Sequence, residues 1–180
     1  MARFKASKAW RKVLNRNSEL IVTEVGTKVT DEQFDLFQIY TNRRHGDGEM
    51  AKMSRRDYAA MILSSPVDTI MVEFREPNGR LIAGCLMDRL AGGLSAVYSF
   101  FDPQEERRSL GSYVILWMIE EALRLDLDHV YLGYWVAGSP KMDYKSRFRP
   151  FEAFGPNGWT EIKDASSLIT SRERLSPALR

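Results

Sequence analysis

The fold of this chain is decided by residues 94–135, which read LSAVYSFFDPQEERRSLGSYVILWMIEEALRLDLDHVYLGYW. Apolar and aromatic residues predict a strand over residues 94–101, and a helical spacing follows from Arg108 to Leu125. A second strand is predicted from His129 to Trp135. A helix that joins two paired strands makes a parallel crossover, which is almost always right-handed. The chain is therefore predicted to be an α/β protein.

Polar residues gather where these two strands end. Ligands in open α/β sheets bind outside the carboxyl ends of parallel strands. Asp102 directly follows the first strand, and the second strand runs into a loop that contains Lys141, Tyr144, Lys145 and Arg147. The start of the connecting helix, residues 108–111, offers backbone N–H groups that favour a phosphate or a carboxylate. We therefore predict the functional site at this edge of the sheet.

The rest of the chain supplies further elements of a mixed sheet flanked by helices. Thr30 and Gln33 form a capping-box pattern, and Pro66 ends the helix that begins at Ser54. The pattern predicts a helix over 7–15, a strand over 19–25, helices that begin at 30 and 54, and a hairpin over 68–75 and 80–90.

Length and charge point to one domain with a basic end. The 180 residues, 44% of them apolar, suffice for one domain with a substantial core. We assign it to residues 1–163, with residues 164–180 as a C-terminal tail. The formal net charge is +2, yet the first 16 residues carry six cations and no carboxylate. Clustered cations favour a polyanionic partner, although a solvated basic helix face is the plainer interpretation.

Several common classes of protein are excluded by composition. Cys85 is the single cysteine and the chain has two histidines, so neither an internal disulfide nor a convincing zinc site is expected. We expect no metal and no cofactor. The sequence lacks the roughly 18–20 consecutive apolar residues of a membrane span and the apolar stretch of a signal peptide. These patterns predict a cytoplasmic protein without a membrane partner.

Several short motifs together carry a resemblance to a known family. They are RHGDG at 44–48, VYSFFDP at 97–103, RSLG at 108–111, YLGYW at 131–135 and KMDYK at 141–145. In this order and spacing they closely resemble the C-terminal region of the bacterial aspartate/glutamate leucyltransferases, relatives of the eukaryotic arginyl-tRNA–protein transferases. The resemblance spans about Lys8 to Trp159, and several ordered motifs arise by chance far less often than one.

The resemblance implies an acetyltransferase-like (GNAT) core and a specific activity. Leucine would pass from leucyl-tRNA to the N-terminal α-amine of proteins that begin with Asp or Glu, which marks them for N-end-rule degradation. Members of the family normally carry a cysteine-containing N-terminal segment associated with tRNA engagement and cluster binding. No such segment precedes Met1 in this sequence, and Cys85 alone cannot replace its ligands. We expect a monomer.

The implied reaction is the aminolysis of an ester and needs no covalent intermediate. The acceptor amine attacks the aminoacyl carbonyl, and the terminal ribose oxygen leaves. We predict that Asp102 orients the amine or relays its proton, with Tyr98 and Tyr134 as polar neighbours.

Binding of the two substrates calls for cations and hydrogen-bond donors. The carboxylate of an acidic N-terminus must be matched by a cation, and we prefer Lys141 and Lys145 because they belong to a matched motif. The full set of predicted acceptor-binding residues is His45, Asp47, Lys141, Tyr144, Lys145 and Arg147. The predicted tRNA-binding residues are Arg108, Ser109 and Gly111 at the helix start, and Lys8, Arg11 and Lys12 on the N-terminal helix.

Other interpretations stay open from sequence alone. Gly46 and Gly48 fit a simple turn in which His45 and Asp47 satisfy backbone groups. The chain could be an acetyl-CoA-dependent GNAT N-acetyltransferase, although Tyr113 stands where the pyrophosphate-loop pattern wants a small residue and is expected to crowd the backbone there. It could also be a catalytically inactive fragment that binds the acceptor. Incubation with each donor and an acidic peptide separates these functions.

Overall fold

The computed structural model describes residues 3–46, 48–156 and 158–164. Contacts between these residues divide the chain into two compact units. The first unit is formed by residues 6–131, and the second by residues 3–5 together with residues from 132 onward. The predicted domain over 1–163 spans the first unit and part of the second, and its bounds stay a prediction. Asp47 and the tail beyond residue 164 lie outside the described residues.

The first unit is a five-stranded sheet with helices on both faces. Its elements are α1 (Lys8–Arg16), β1 (Ile21–Glu24), α2 (Asp31–His45), α3 (Arg55–Leu63), β2 (Asp68–Arg75), β3 (Leu81–Leu90), β4 (Gly93–Phe101), α4 (Leu110–Arg124) and β5 (His129–Tyr131). Short 3₁₀ turns cover Glu49–Lys52 and Glu106–Arg108. The strand order follows the sequence from β1 to β5. The first four strands pair antiparallel and β4 pairs parallel with β5, as the strand–helix–strand pattern predicted.

Capping residues define where the helices begin. The Thr30 hydroxyl accepts the N–H of Gln33 and the Gln33 side chain accepts the N–H of Thr30, which confirms the predicted capping box of α2. Ser54 and Asp57 form a second capping box at the start of α3. Each box satisfies backbone donors that a helix start leaves without partners.

The two faces of the sheet carry separate parts of the core. Met71 and Phe100 pack with Phe37 of α2 and Tyr58 of α3 in one fully buried cluster. On the other face, Phe74 packs edge-on against Tyr113 and Trp117 of α4, with ring centroids 5.8 and 5.5 Å apart. Residues an odd number of positions apart in a strand point to opposite faces, so β2 contributes to both layers.

The strand after α4 is shorter than its sequence predicted. It ends at Tyr131, whereas alternating aromatic residues predicted a strand as far as Trp135. Gly133 has φ +72°, which lies outside the extended conformation of a regular strand. The β4–β5 ladder therefore spans only Gly93 to Ser95, opposite His129 to Tyr131.

The second unit contains a hairpin that the sequence analysis did not identify. Its strands are β6 (Glu152–Gly155) and β7 (Gly158–Glu161), preceded by a 3₁₀ turn over Asp143–Arg147. Trp135 packs edge-on against Phe151 with ring centroids 5.1 Å apart. Among the described helices of both units, none has the length and apolarity needed to cross a bilayer.

Candidate functional site

The free part of β4 begins where the β5 ladder stops. Gly93 allows the two strands to approach, because a Cβ there would lie 2.3 Å from the carbonyl oxygen of His129. Beyond Ser95, β4 continues to Phe101 while its pairing with β3 persists. A bulge at Val97 interrupts the β3 register, since Met87 pairs with Ala96 and Leu86 with Tyr98. One edge of β4 beyond Ser95 therefore extends past the end of β5.

Tyr98 lies on this free part of β4 with its ring in the aromatic core. Its centroid is 5.6 Å from that of Phe37 and 6.5 Å from that of Tyr40. The hydroxyl is buried and has no hydrogen-bond partner among the described residues. Burial raises the pKa of Tyr98 to about 12, so the phenol stays protonated at neutral pH and acts as a donor rather than a base.

Phe101, the last residue of β4, is surrounded by residues from two helices. The Tyr40 ring centroid lies 4.7 Å from it, and the guanidinium carbon of Arg44 lies 5.5 Å from it in a cation–π geometry. A Cβ at Gly111 would lie 3.1 Å from the Phe101 ring, which explains the small residue in the first turn of α4. The sequence analysis assigned neither Tyr40 nor Arg44 to the functional site, although Arg44 is the first residue of the RHGDG motif.

Asp102 is held in place on both carboxylate oxygens. One accepts a hydrogen bond from the Arg80 guanidinium at 3.0 Å, and the other accepts the backbone N–H of Gln104 at 2.9 Å. The Asp102 backbone N–H donates to Ile82 at 2.8 Å. These contacts fix the carboxylate directly after β4, where it was predicted. Each carboxylate oxygen has a second lone pair, so Asp102 can accept a further hydrogen bond.

Two arginines tie Asp102 to the start of α4. Arg80 also pairs with Glu76 at 2.9 Å and Glu105 at 2.6 Å. Arg108 pairs with Glu76 and Glu105, both at 3.1 Å, and with Glu19 at 2.8 Å. We call these six side chains the Arg80–Arg108 cluster. The tRNA-binding role of Arg108 stays a prediction, but a phosphate would compete with three carboxylates for a side chain only 17% exposed.

The first turn of α4 has an unusual N-cap. Ser109 adopts φ 54° and ψ 46°, the left-handed region, and its side chain caps no backbone N–H. Its carbonyl accepts the N–H groups of Ser112 and Tyr113, both at 3.0 Å. The Tyr113 side chain is 7% exposed and packs inward on Phe74. The expected crowding at Tyr113 is thus wrong, because the ring points into the core.

The predicted basic face of α1 is exposed. Lys8, Arg11 and Lys12 lie on the solvent side of the helix, whereas Val13 is buried. Lys8 and Lys12 make no ion pair within the described residues. Arg11 donates to the carbonyl of Ala6 at 2.7 Å. We use the name α1 basic face for Lys8, Arg11 and Lys12.

The predicted acceptor-binding residues of the second unit lie around one short turn. The Lys145 ammonium donates to the Tyr134 carbonyl at 2.6 Å, and burial lowers the pKa of Lys145. The Tyr134 side chain itself is 91% exposed. Lys141 and Arg147 are exposed and make no ion pair among the described residues. Burial raises the pKa of Tyr144.

The structure brings together some predicted residues and leaves others in separate units. Asp102 and Arg108 belong to the same Arg80–Arg108 cluster, and Lys145 contacts the backbone of Tyr134. Asp102 lies in the first unit and Lys145 in the second, so their proximity stays a prediction. His45 is the last residue of α2.

The described residues include one cysteine, which is buried, and no cluster of metal-ligating side chains. The described part of the chain contains no group of three histidine, cysteine, aspartate or glutamate side chains that could hold a metal ion. Cys85 is fully buried in β3, and burial raises the pKa of its thiol to about 12. Its Sγ lies 3.9 Å from the Met118 sulfur, an environment typical of an inert core thiol.

Comparison with solved structures identifies the fold. The chain resembles an N-acetyltransferase (PaiA) from Thermoplasma acidophilum, solved in complex with coenzyme A, with a TM-score of 0.54, 9% identity and coverage of 76% of this chain and 91% of that one. It also resembles the ribosomal-protein-S18-alanine N-acetyltransferase from Escherichia coli, with a TM-score of 0.53, 15% identity and coverage of 77% and 87%. At these identities the likeness shows the fold, which is that of the GNAT acetyltransferases.

Comparison with sequences identifies the family. Aspartate/glutamate leucyltransferase from Paramagnetospirillum magneticum is 49% identical over 156 residues, which cover 87% of this chain and 64% of the relative. The enzyme of the same name from Gluconobacter oxydans is 48% identical over 159 residues, which cover 88% and 66%. The chain thus spans just under two thirds of the length of these relatives. The family model described as "Arginine-tRNA-protein transferase, C terminus" matches residues 32–155, and the chain belongs to this family.

Proposed function

We propose that this chain contributes the catalytic domain of an aminoacyltransferase that moves leucine from leucyl-tRNA to proteins with an N-terminal Asp or Glu. The observation that carries the proposal is the 49% identity with aspartate/glutamate leucyltransferases over 87% of the chain. The modified proteins would then enter N-end-rule degradation. The transfer reaction would take place in the cytoplasm. The proposal needs no metal and no cofactor.

The proposed reaction forms an amide from an ester. The nitrogen of the acceptor α-amine attacks the carbonyl carbon of the leucyl ester. The bond from that carbon to the terminal ribose oxygen breaks, and the proton lost by the amine passes to the leaving oxygen. The enzyme must mainly align a neutral amine with the ester, because positioning alone supplies a large part of such a rate enhancement.

The free edge of β4 suits an extended substrate beside the reacting atoms. The β5 ladder stops at Ser95 and β4 runs on to Phe101. No described strand pairs with β4 along that edge, which leaves main-chain N–H and C=O groups to which a substrate chain could pair. Such groups add a ligand to a sheet edge by hydrogen bonding. This supports placing the acceptor or the aminoacyl group along β4, with Asp102 at its end.

Asp102 is proposed to orient the attacking amine. Its carboxylate is fixed by Arg80 and Gln104, so it can accept one hydrogen bond from the amine without being free to rotate. Tyr98 and Tyr134 are proposed as polar neighbours, and the raised pKa of Tyr98 favours donation to the developing oxyanion over proton removal.

Lys141 and Lys145 are proposed to recognise the acidic side chain of the acceptor. Lys145 uses one of its three donors on the Tyr134 carbonyl, which orients the ammonium group and leaves two donors for a carboxylate. Tyr144, Arg147, His45 and Asp47 complete the proposed acceptor site.

The tRNA is proposed to contact the α1 basic face and the start of α4. The exposed cations of α1 would neutralise phosphates and release counterions. Ser109, Gly111 and Arg108 would lie near the aminoacylated end of the tRNA, with Arg108 held in position by its carboxylate partners in the Arg80–Arg108 cluster.

The test is to incubate the chain with leucyl-tRNA, arginyl-tRNA or acetyl-CoA and with peptides that begin with Glu, Asp or Gln. Intact mass of the peptide is then measured. We expect one added leucyl residue on the Glu and Asp peptides only. An added arginyl or acetyl group would replace the proposed function with another transfer. A peptide that binds but gains no mass from any donor would indicate an acceptor-binding module.

A further inference from the structure

The β6–β7 hairpin presents an exposed aromatic pair on one face. Phe154 and Trp159 lie directly opposite each other in the register, and their ring centroids are 5.3 Å apart. Their exposed fractions are 71% and 57%. Burial of aromatic rings contributes strongly to folding, and these two rings are each more than half exposed, so most of their surface is accessible to a ligand.

A basic cavity lies at the other end of the same hairpin face. It is a shallow depression that is open to solvent, with a volume of about 440 Å³, and is lined by Arg3, Lys5, Arg149, Pro150, Glu161 and Lys163. Glu161 pairs across the ladder with Glu152, two positions from the Trp159–Phe154 pair. Paired residues and residues two positions apart share one face of a ladder, and two positions span about 7 Å. The aromatic pair and the cavity therefore form one continuous surface.

The charge of this cavity is positive because its lining has four cationic side chains and one carboxylate. Arg3 pairs with Glu161 at 2.7 Å, and this hydrogen bond and charge hold the pKa of Glu161 below its usual range. Glu152 on the same face also interacts with Arg3. The ammonium groups of Lys5 and Lys163 have no ion pair or hydrogen bond in the described part of the chain. Arg149 donates to the carbonyl of Lys163 at 2.8 Å, which turns a second guanidinium toward the cavity wall.

The described part of the second unit has the same excess of positive charge. Its described residues include seven cationic and four acidic side chains. The described residues of the first unit contain more acidic than cationic side chains. The positive charge of these residues therefore favours binding of a polyanion to the second unit. This contribution is separate from that of the α1 basic face, which belongs to the first unit.

We infer that this hairpin surface, the aromatic pair with the basic cavity beside it, binds single-stranded RNA. Exposed rings on which bases stack, next to cations that neutralise the backbone, are the combination that single-stranded nucleic acid requires. The inference rests on the proposed function, because the RNA at hand would be the unpaired 3′ end of the aminoacyl-tRNA. Bases stack on Phe154 and Trp159 while phosphates lie in the cavity near Lys5 and Lys163.

Direct binding of RNA tests the surface without any transfer reaction. Binding of an uncharged tRNA and of an unstructured RNA oligonucleotide is measured by fluorescence anisotropy across a salt series. Trp159→Ala is expected to weaken oligonucleotide binding about 5- to 150-fold, the range that loss of one stacked base gives. Trp159→Phe keeps a ring and is expected to restore most of the affinity. Leu63→Ala is the matched control, since Leu63 is 60% exposed and lies in the first unit.

The cavity is tested by the salt dependence of the same binding. Lys5→Gln with Lys163→Gln is expected to reduce the slope of log affinity against log salt by about 1.4, because each lost phosphate contact to a single strand removes about 0.7. The control is Lys28→Gln with Arg56→Gln, two exposed cations of the first unit. Circular dichroism verifies that each variant is folded.

The outcomes separate this inference from the proposed function. Unchanged RNA binding in Trp159→Ala, or binding of anionic vesicles or an acidic peptide in place of RNA, overturns the inference even if leucyl transfer is observed. Loss of RNA binding in Trp159→Ala, with rescue in Trp159→Phe, supports the inference even if the chain transfers no leucine.

Discussion

Replacing Gly93 with alanine should pull apart the two parallel strands that define the free edge of β4. The added Cβ would lie 2.3 Å from the His129 carbonyl oxygen and 2.9 Å from its carbonyl carbon, whereas ordinary contact begins at 3.4 Å. The atoms in the way are backbone, so no rotamer change relieves the clash and the strands must separate by about 1 Å. Overpacking of this kind costs about 1–3 kcal/mol, and a rigid ladder places Gly93→Ala near the upper end.

Thermal unfolding followed by circular dichroism measures this effect. A loss of about 3 kcal/mol lowers the Tm of a chain of this size by about 6–12 °C. Gly92→Ala is the matched control, because its Cβ would lie 3.6 Å from the Tyr131 hydroxyl, an ordinary contact. The control should change the free energy of unfolding by less than about 0.5 kcal/mol. Equal unfolding temperatures for the two variants would refute the close approach of β4 and β5.

Four further predictions concern the proposed site and the core. Asp102→Asn should lower kcat about 100-fold with little change in KM, and an unchanged kcat removes Asp102 from the reaction. Lys141→Gln with Lys145→Gln should raise KM about tenfold for peptides that begin with Asp or Glu, and an equal effect on every acceptor contradicts selective recognition. Replacing all three cations of the α1 basic face by glutamine should weaken tRNA binding and reduce its log–log salt slope by about 2.7; binding insensitive to salt contradicts this role. Cys85 should resist a thiol reagent in the folded protein and react after unfolding in urea, because burial raises its pKa to about 12; rapid native labelling would show the thiol to be accessible.

Local signals in the sequence predicted much of the first unit. The Thr30–Gln33 capping box and the turn residues between β2 and β3 depend on neighbours along the chain, so they could be identified from sequence. The parallel pairing of β4 with β5 followed from the intervening helix. These features need no knowledge of distant contacts.

Features set by distant contacts or by backbone geometry were not predictable in the same way. Strand β5 looked longer than it is because the left-handed conformation of Gly133 is not visible in an alternating aromatic pattern. The β6–β7 hairpin has strands of four residues, which are too short to show a clear alternation of apolar and polar residues. Its local sequence signal is a proline and a glycine, Pro156 and Gly158. The ion pairs of Arg108 join residues up to 89 positions apart, which no local pattern reports.

The bulge gives β4 one residue more than its pairing with β3 requires. Val97 is the extra residue, 44% exposed, and the residues on either side of it keep their pairing with β3. Ala96 and Tyr98 pair with Met87 and Leu86, which are consecutive in β3, so removal of Val97 would restore a regular ladder and leave Tyr98 and its successors on their present faces. Deletion of Val97 should therefore be tolerated, whereas deletion of a paired residue such as Ser99 should turn the following residues of β4 to the opposite face and displace Asp102.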